Sequence, residues 1–386
     1  MTEKLSLFRT TRRILFGLGA AEKIGAEAQV LKAKKILIIT DPGVIQAGLL
    51  ESIKASLQAA GILFTIFDGV EPDPRIEVVE KSVEKAKQDG IDLIIGFGGG
   101  SSLDIAKVTS IMITNPGKID LFFGVDLVPN PGLPVILIPT TAGTGSEVTP
   151  IAILSDTKEK LKKGIVSPAL FPEVAVVDPK LTVGLPPSVT AFTGMDALTH
   201  AIEAYSSINA TDLSDLLAIR AMELISKNLR MAYAYGENLS ARSSMMEGSL
   251  LAGIAFANAG VGAVHAFAYP LGGEFHLAHG LTNTLMLPYI MRYNILGCPY
   301  KFAMMARAFG EKVEGFSELE AAEAAVKFVE RLSDDLRVPR RLRDVGILEK
   351  AIPGLAEAAM KVTRLLANNP RKMTLEDAND IYKSAY

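Results

Sequence analysis

Two adjacent prolines, Pro186 and Pro187, divide this 386-residue chain into halves with different texture. Before them, short apolar runs rich in β-branched residues alternate with amphipathic segments. The runs are KILIIT (35–40), ILFTIF (62–67), DLIIGF (92–97), PVILIP (134–139) and EVAVVD (173–178), and the segment IEVVEKSVEKAKQ (76–88) has apolar residues at helical spacing. Strands alternating with helices imply βαβ units and a parallel sheet covered on both faces. After Pro187 the strand signal nearly vanishes. Long Ala-, Leu- and Met-rich stretches take over, among them LSDLLAIRAMELISKNLRMA (213–232) and ELEAAEAAVKFVERLSDDL (318–336). The expectation is an α/β domain over residues 1–186 and an all-helical domain over 187–386, each long enough to bury a core.

Composition narrows the function. With 49% hydrophobic and 22% charged residues and a net charge of −3, the chain reads as an ordinary globular protein. It has no basic field to recruit nucleic acid or an anionic membrane surface. One cysteine, Cys298, excludes an internal disulfide framework and suits a reducing, cytoplasmic setting. The opening MTEKLSLFRTTRRILF places charges on both sides of its few apolar residues, unlike a secretory signal. Gly248 to Gly273 is free of charge and long enough to span a bilayer. It is rich in Gly and Ala, contains Asn258 and His265, and is flanked by Glu247 and Glu274, so it reads as helix buried in protein.

Two small-residue loops follow strands. GFGGGSSLDIAK (96–107) comes directly after DLII. Glycines there let the backbone approach a pyrophosphate, and Ser101 or Ser102 can cap the next helix, whose N–H groups and dipole favour phosphate. A ligand-free glycine turn is the plainer alternative, since the spacing departs from G-x-G-x-x-G and no acidic residue follows at the usual distance. An earlier strand ends at Asp41 instead. That carboxylate can accept from a ribose diol or simply cap the helix after Pro42 and Gly43, and the sequence leaves both open. PTTAGTGSEVT (139–149) sets hydroxyls at the carboxyl end of another strand, where ligands of open α/β sheets bind. A flexible turn would look the same.

The chain has four histidines, three of them between Val264 and Gly280. In MDALTHAIEAY, Asp196 and His200 are four apart and share a helix face. Alone, such a pair is an ordinary hydrogen-bonded pair. Pro270, Leu271, Gly272 and Gly273 are expected to break the chain between His265 and His279, letting both converge on that pair. One carboxylate and three imidazoles suit a divalent first-row metal, iron(II) or zinc, and the lack of cysteine ligands speaks against a structural zinc.

Taken together, GGGSSLDIAK, PTTAGTGSEVT, TGMDALTHAIEAY, VHAFAYPLGG, AHGLTN and NNPRKMTLED resemble the iron-containing (group III) alcohol dehydrogenases across essentially the whole chain. The resemblance implies the dehydroquinate synthase-like fold of that family, with an N-terminal dinucleotide-binding domain and a helical metal- and substrate-binding domain. It implies metal ligands at Asp196, His200, His265 and His279, and a pyrophosphate loop at Gly98, Gly99, Gly100, Ser101 and Ser102. Thr140, Thr141, Thr149 and Lys162 match cofactor-lining positions, and Asp41 matches the position that favours NAD over NADP. The implied reaction is reversible hydride transfer between NAD and a small primary alcohol or diol, with iron or zinc, in a homo-oligomer. Lys162 and His276 are the candidates for a catalytic role. Tyr269 stands where some members carry a further histidine, Asp73 where many carry asparagine, and His276 is histidine in only part of the family. Competing readings are a glycerol dehydrogenase-like or other polyol or hydroxy-acid dehydrogenase of this fold, a dehydroquinate synthase-like lyase, and a non-catalytic metal-binding protein.

Overall fold

The protein is described by a computed structural model covering residues 5–157 and 161–386. It divides into two compact units. One comprises Thr10–Thr141 with Gly145–Val183, the other Gly184–Tyr386, Ala142–Thr144 and the stretch ending at Arg9.

The first unit is built on the expected runs. Strands β1 (Arg13–Phe16), β2 (Lys35–Ile39), β3 (Leu63–Phe67), β4 (Leu93–Gly98), β5 (Gly124–Val125), β6 (Val135–Pro139), β7 (Ile151–Asp156), β8 (Leu161–Val166) and β9 (Val174–Val177) follow in order. Six of them form a sheet in the order β1-β9-β6-β4-β2-β3, every pair parallel. Side chains alternate between faces. Leu37, Ile39, Ile94 and Leu137 join one core with Leu103 and Ile105 of the Gly100–Thr114 helix. Ile36, Ile38, Ile95 and Ile138 join the other with Ile53 and Leu57 of the Leu50–Ala59 helix. Burial on both faces is why these runs are continuously apolar rather than alternating.

The strand order positions the first candidate site. From β2 the chain moves to one side to build β3, then returns to place β4 on the other side of β2 and β6 beyond it. Connections leave β2 and β4 in opposite directions, so the crevice between their carboxyl ends is a topological switch point. Asp41 and the glycine loop follow β2 and β4 there.

A second sheet, β5-β8-β7, was not anticipated. Its antiparallel pair β7–β8 matches Ser155 with Lys162. LKKGIV carries two lysines and a glycine, which hides a strand from an apolar-run search.

The second unit is helical throughout its described residues beyond Gly184, including Pro187–Ser206, Leu239–Ala259, Ala263–Phe275, His279–Asn294 and Leu375–Ala385. Among the described residues no single helix is long and apolar enough to cross a membrane. The charge-free Gly248–Gly273 stretch is not one helix. It belongs to two, Leu239–Ala259 and Ala263–Phe275, bent by 105° at the break between them. The expected break at Pro270–Gly273 is also corrected, because Pro270 lies inside a helix that continues to Phe275. Pro270 has no N–H to offer the Ala266 carbonyl. One residue on, the carbonyl of Phe267 accepts from the buried Tyr382 hydroxyl at 2.7 Å, with the two rings stacked. The chain turns only at His276, which takes a left-handed conformation (φ 55°).

Candidate active site

In the first unit the two loops meet at the sheet edge. Thr140 N–H donates to the Gly98 carbonyl at 2.9 Å. Gly98 has φ 150°, and a Cβ there would lie 2.6 Å from Ser102 Oγ and 2.8 Å from Asp41 Oδ2, so only glycine fits. The following helix starts at Gly100, and its N-cap Gly99 gives no side-chain cap among the described residues. The serines do not cap it, contrary to expectation. Ser102 instead donates to Asp41 Oδ2 at 3.1 Å. The helix's first N–H groups are therefore left without a side-chain cap and suited to an anion. Of the two roles the sequence left open for Asp41, the structure shows the helix cap. Its Oδ1 caps its own helix by accepting from Val44 N–H at 3.1 Å, while its Oδ2 faces the glycine loop.

Beneath the second loop lies Lys107, which is 1% exposed. Its Nζ donates to Ser146 Oγ (2.7 Å), Thr149 Oγ1 (3.2 Å) and the Ile151 carbonyl (2.8 Å). Ser146 Oγ in turn donates to Asp104 Oδ1 at 2.6 Å. Burial lowers the Lys107 ammonium to about 8 and raises the neighbouring Glu147 carboxyl to about 7. Thr149 is thus tied into a buried brace under the loop. Lys162 lies on β8, where it pairs with Asp73 at 2.5 Å. Asp73 itself has φ 51°, a conformation asparagine, aspartate and glycine tolerate best.

In the second unit the Pro187–Ser206 helix presents Asp196, His200 and Glu203 at positions i, i+4 and i+7, one face of a buried helix. Ala263–Phe275 adds His265 and His279–Asn294 adds His279 at its first position. Gly280 allows the close approach this needs, because a Cβ there would sit 2.1 Å from the Phe192 carbonyl oxygen. Asp196 Oδ1 lies 4.0, 3.9 and 3.7 Å from Nε2 of His200, His265 and His279. The Nε2 atoms of His200 and His265 are 3.0 Å apart. Asp196, His265 and His279 form a group able to hold a cation, their donor atoms all within 4.8 Å of one another.

The ring partners decide what these nitrogens offer. His265 Nδ1 faces Glu203 Oε2 at 2.5 Å, and Glu203 Oε1 accepts from Val264 N–H. His200 Nδ1 faces the Gly143 carbonyl at 3.3 Å. Both partners can only accept, so each Nδ1 carries the proton and each Nε2 turns a lone pair inward. Burial lowers His200 to about 4, which keeps it neutral. Asp196 is pushed up by burial but held below the usual carboxylate range by the facing imidazoles and Asn283. Two lone pairs facing each other at 3.0 Å beside a carboxylate make an electron-rich cluster suited to a cation. One carboxylate and three imidazoles are the donor types of a divalent first-row site, so the residues fit such an ion.

Tyr269 lies obliquely beside His279, ring centroids 6.2 Å apart. His276 is exposed at the helix end and takes no part in the cluster. Glu203 and Asn283 were missed by the sequence reading. The only signal for Glu203 was an acidic residue at helical spacing from Asp196 and His200 in an otherwise apolar helix.

Two family models match the chain: "Iron-containing alcohol dehydrogenase" over residues 11–179 and "Fe-containing alcohol dehydrogenase family, C-terminal" over residues 190–386. The chain belongs to the iron-containing alcohol dehydrogenase family. It is 44% identical over 373 residues to long-chain-alcohol dehydrogenase 1 of Geobacillus thermodenitrificans, covering 96% of this chain and 94% of the relative. It is 38% identical over 371 residues to the NAD-dependent methanol dehydrogenase of Bacillus methanolicus, covering 96% and 97%. The solved structure of a 1,3-propanediol oxidoreductase superposes with a TM-score of 0.97 at 41% identity, covering 99% of this chain and all of that one. Family membership accounts for the parallel-sheet unit and the helical unit alike.

Proposed function

We propose that this member of the iron-containing alcohol dehydrogenases interconverts a small primary alcohol or diol and its aldehyde, using NAD and a divalent cation, iron(II) in preference to zinc. The observation that carries the reading is the convergence of three imidazole Nε2 atoms on Asp196 Oδ1. The NAD-dependent and diol-specific names of its relatives support the cofactor and the substrate class.

Asp196, His200, His265 and His279 would hold the cation, which when bound supplies a Lewis acid that eases loss of the alcohol's proton and polarises the aldehyde in reverse. Glu203 and the Gly143 carbonyl keep the His265 and His200 rings in the tautomer that points Nε2 inward. Asp196, His200 and His265 are buried, which would limit water on their side of the cation. In the first unit, Gly98 and the N-terminus of the Gly100–Thr114 helix would take the pyrophosphate of NAD, with Ser101, Ser102, Thr140 and Thr141 beside it. The Asp41 carboxylate would accept from the ribose and repel the additional phosphate of NADP. Lys162, shared between cofactor and Asp73, is a weaker candidate for chemistry than the family pattern implied, and His276 keeps only an outlying role in proton exchange. Homo-oligomeric assembly and a cytoplasmic setting belong to the same proposal.

The test is an absorbance assay at 340 nm on a panel of alcohols and aldehydes, using protein stripped with a chelator and reloaded. Iron(II) should restore the most activity, and full activity in exhaustively metal-free protein would reject the reading. Asp41→Gly should move the ratio of kcat/KM values toward NADP; a wild type that already prefers NADP would remove Asp41 from cofactor choice.

A further inference from the structure

Every donor atom that converges in the second unit is an acceptor of hydrogen bonds. Asn283 is the exception. It lies four residues after His279, on the same helix face, and is completely buried. Its Nδ2 donates to Asp196 Oδ1 at 2.6 Å and stands 3.1 and 3.2 Å from Nε2 of His265 and His279. Its own Oδ1 is buried without a hydrogen-bond partner among the described residues.

The acceptors around Asn283 fix which way the amide must face. Turning the carboxamide over would set Oδ1 against Asp196 Oδ1 and the His265 Nε2 lone pair, acceptor on acceptor. The side chain forgoes a bond to its oxygen so that its N–H groups can meet the cluster. An N–H directed at Asp196 Oδ1 fixes the rotation of that carboxylate while using only one of the oxygen's lone pairs. Nothing on the Asp196 helix performs this task, since His200 and Glu203 are committed to Gly143 and His265.

We propose that Asn283 is a positioning residue of the cation site, holding Asp196 so that Oδ1 faces the three imidazoles. Outer partners of this kind typically change metal affinity by about 10–100-fold. The inference rests on the metal reading of the cluster and is separable from it.

The experiment is chelator competition with cobalt(II) and zinc(II) on wild type, Asn283→Leu, Asn283→Thr and Asn283→Asp, with the visible spectrum of the cobalt forms as a second readout. Asn283→Leu keeps the size and removes the donor, and should weaken cation binding about 10–100-fold and alter the cobalt bands. Asn283→Thr restores a hydroxyl donor and should recover part of that loss. Asn283→Asp keeps the shape but sets a carboxylate against a carboxylate, and should bind more weakly than wild type. Should the leucine protein fail to fold, the threonine and aspartate proteins carry the comparison. Affinities within threefold of wild type in all variants would overturn the proposal, and so would tighter binding by Asn283→Asp, which would make position 283 a ligand. A wild type that binds neither cation would instead undo the metal reading.

Discussion

The two units differ in the part of the chain that would do the recognising at the proposed sites. In the sheet unit it is backbone: a glycine with φ 150°, a helix end with no side-chain cap, and a carbonyl paired across adjacent strands. In the helical unit it is side chain: an aspartate and three histidines, oriented by Glu203, Asn283 and one carbonyl. Backbone recognition tolerates exchange of neighbouring side chains but not of the glycine that shapes the turn. Side-chain recognition fails with any one donor, yet each donor depends on groups tens of residues away.

Four outcomes would sharpen or break that contrast. The largest is expected from His265→Ala, which removes a donor outright. Turnover should fall at least about a thousandfold, in keeping with loss of Lewis-acid assistance, with bound metal lost by elemental analysis and NADH affinity in fluorescence titration nearly unchanged. Near-normal turnover would take His265 out of the ligand set. Next, Glu203→Gln keeps the shape but weakens the partner of His265 Nδ1, and metal affinity should drop about 10–100-fold. If affinity is unaffected, the ring is oriented by packing alone. Third, Gly98→Ala forces a strained φ, costing roughly 1–3 kcal/mol, and presses a methyl on Ser102 and Asp41. NADH affinity should fall about tenfold while metal content stays at the wild-type level; loss of metal as well would show that the two recognition modes are not separable.

The smallest effect is a pH response of opposite sign in the two units, read by hydrogen exchange on cation-stripped protein. His200 is lowered from 6.5 to about 4 by burial. Between those values the unfolded chain takes up a proton the folded one refuses, so the helical unit should lose protection as pH falls from 6.5 toward 4. Glu147 is raised from 4.5 to about 7 by burial. There the folded state protonates first, so the Lys107–Glu147 region should gain protection as pH falls from 7 toward 4.5. A parallel response in both units would contradict this assignment of the buried groups.

The same contrast governs what could be read from the sequence. β2, β4 and β6 were legible because central parallel strands are apolar on both faces. β1 was missed because RILF is four residues long beside Arg12 and an edge strand needs little apolar length. β7 and β8 were missed because a small mixed sheet tolerates IAILSD and LKKGIV. The Gly98 turn announced itself locally, as backbone sites do. Asp196 and His200 were legible through helical spacing, and His265 and His279 through resemblance. Asn283 and Glu203 were not, because their partners lie 87 and 62 residues away and no periodicity joins them. Pro270 misled because a proline reads as a breaker, whereas this helix carries on through it.

The contact between Tyr382 and Phe267 has a consequence for biosynthesis. The helix bearing His265 acquires a carbonyl partner from a residue 115 positions further along the chain. On the ribosome, β1 to β9 and the whole Gly98 turn are made before His265 exists. The histidine cluster is made later, and the Tyr382 contact to its proline-bearing helix forms only once residue 382 has been added. Nascent chains halted between Asn294 and Tyr382 should therefore carry a formed parallel sheet and a histidine cluster without the Tyr382 contact. On the proposed metal reading, loading with a cation would accordingly come late in the maturation of the molecule.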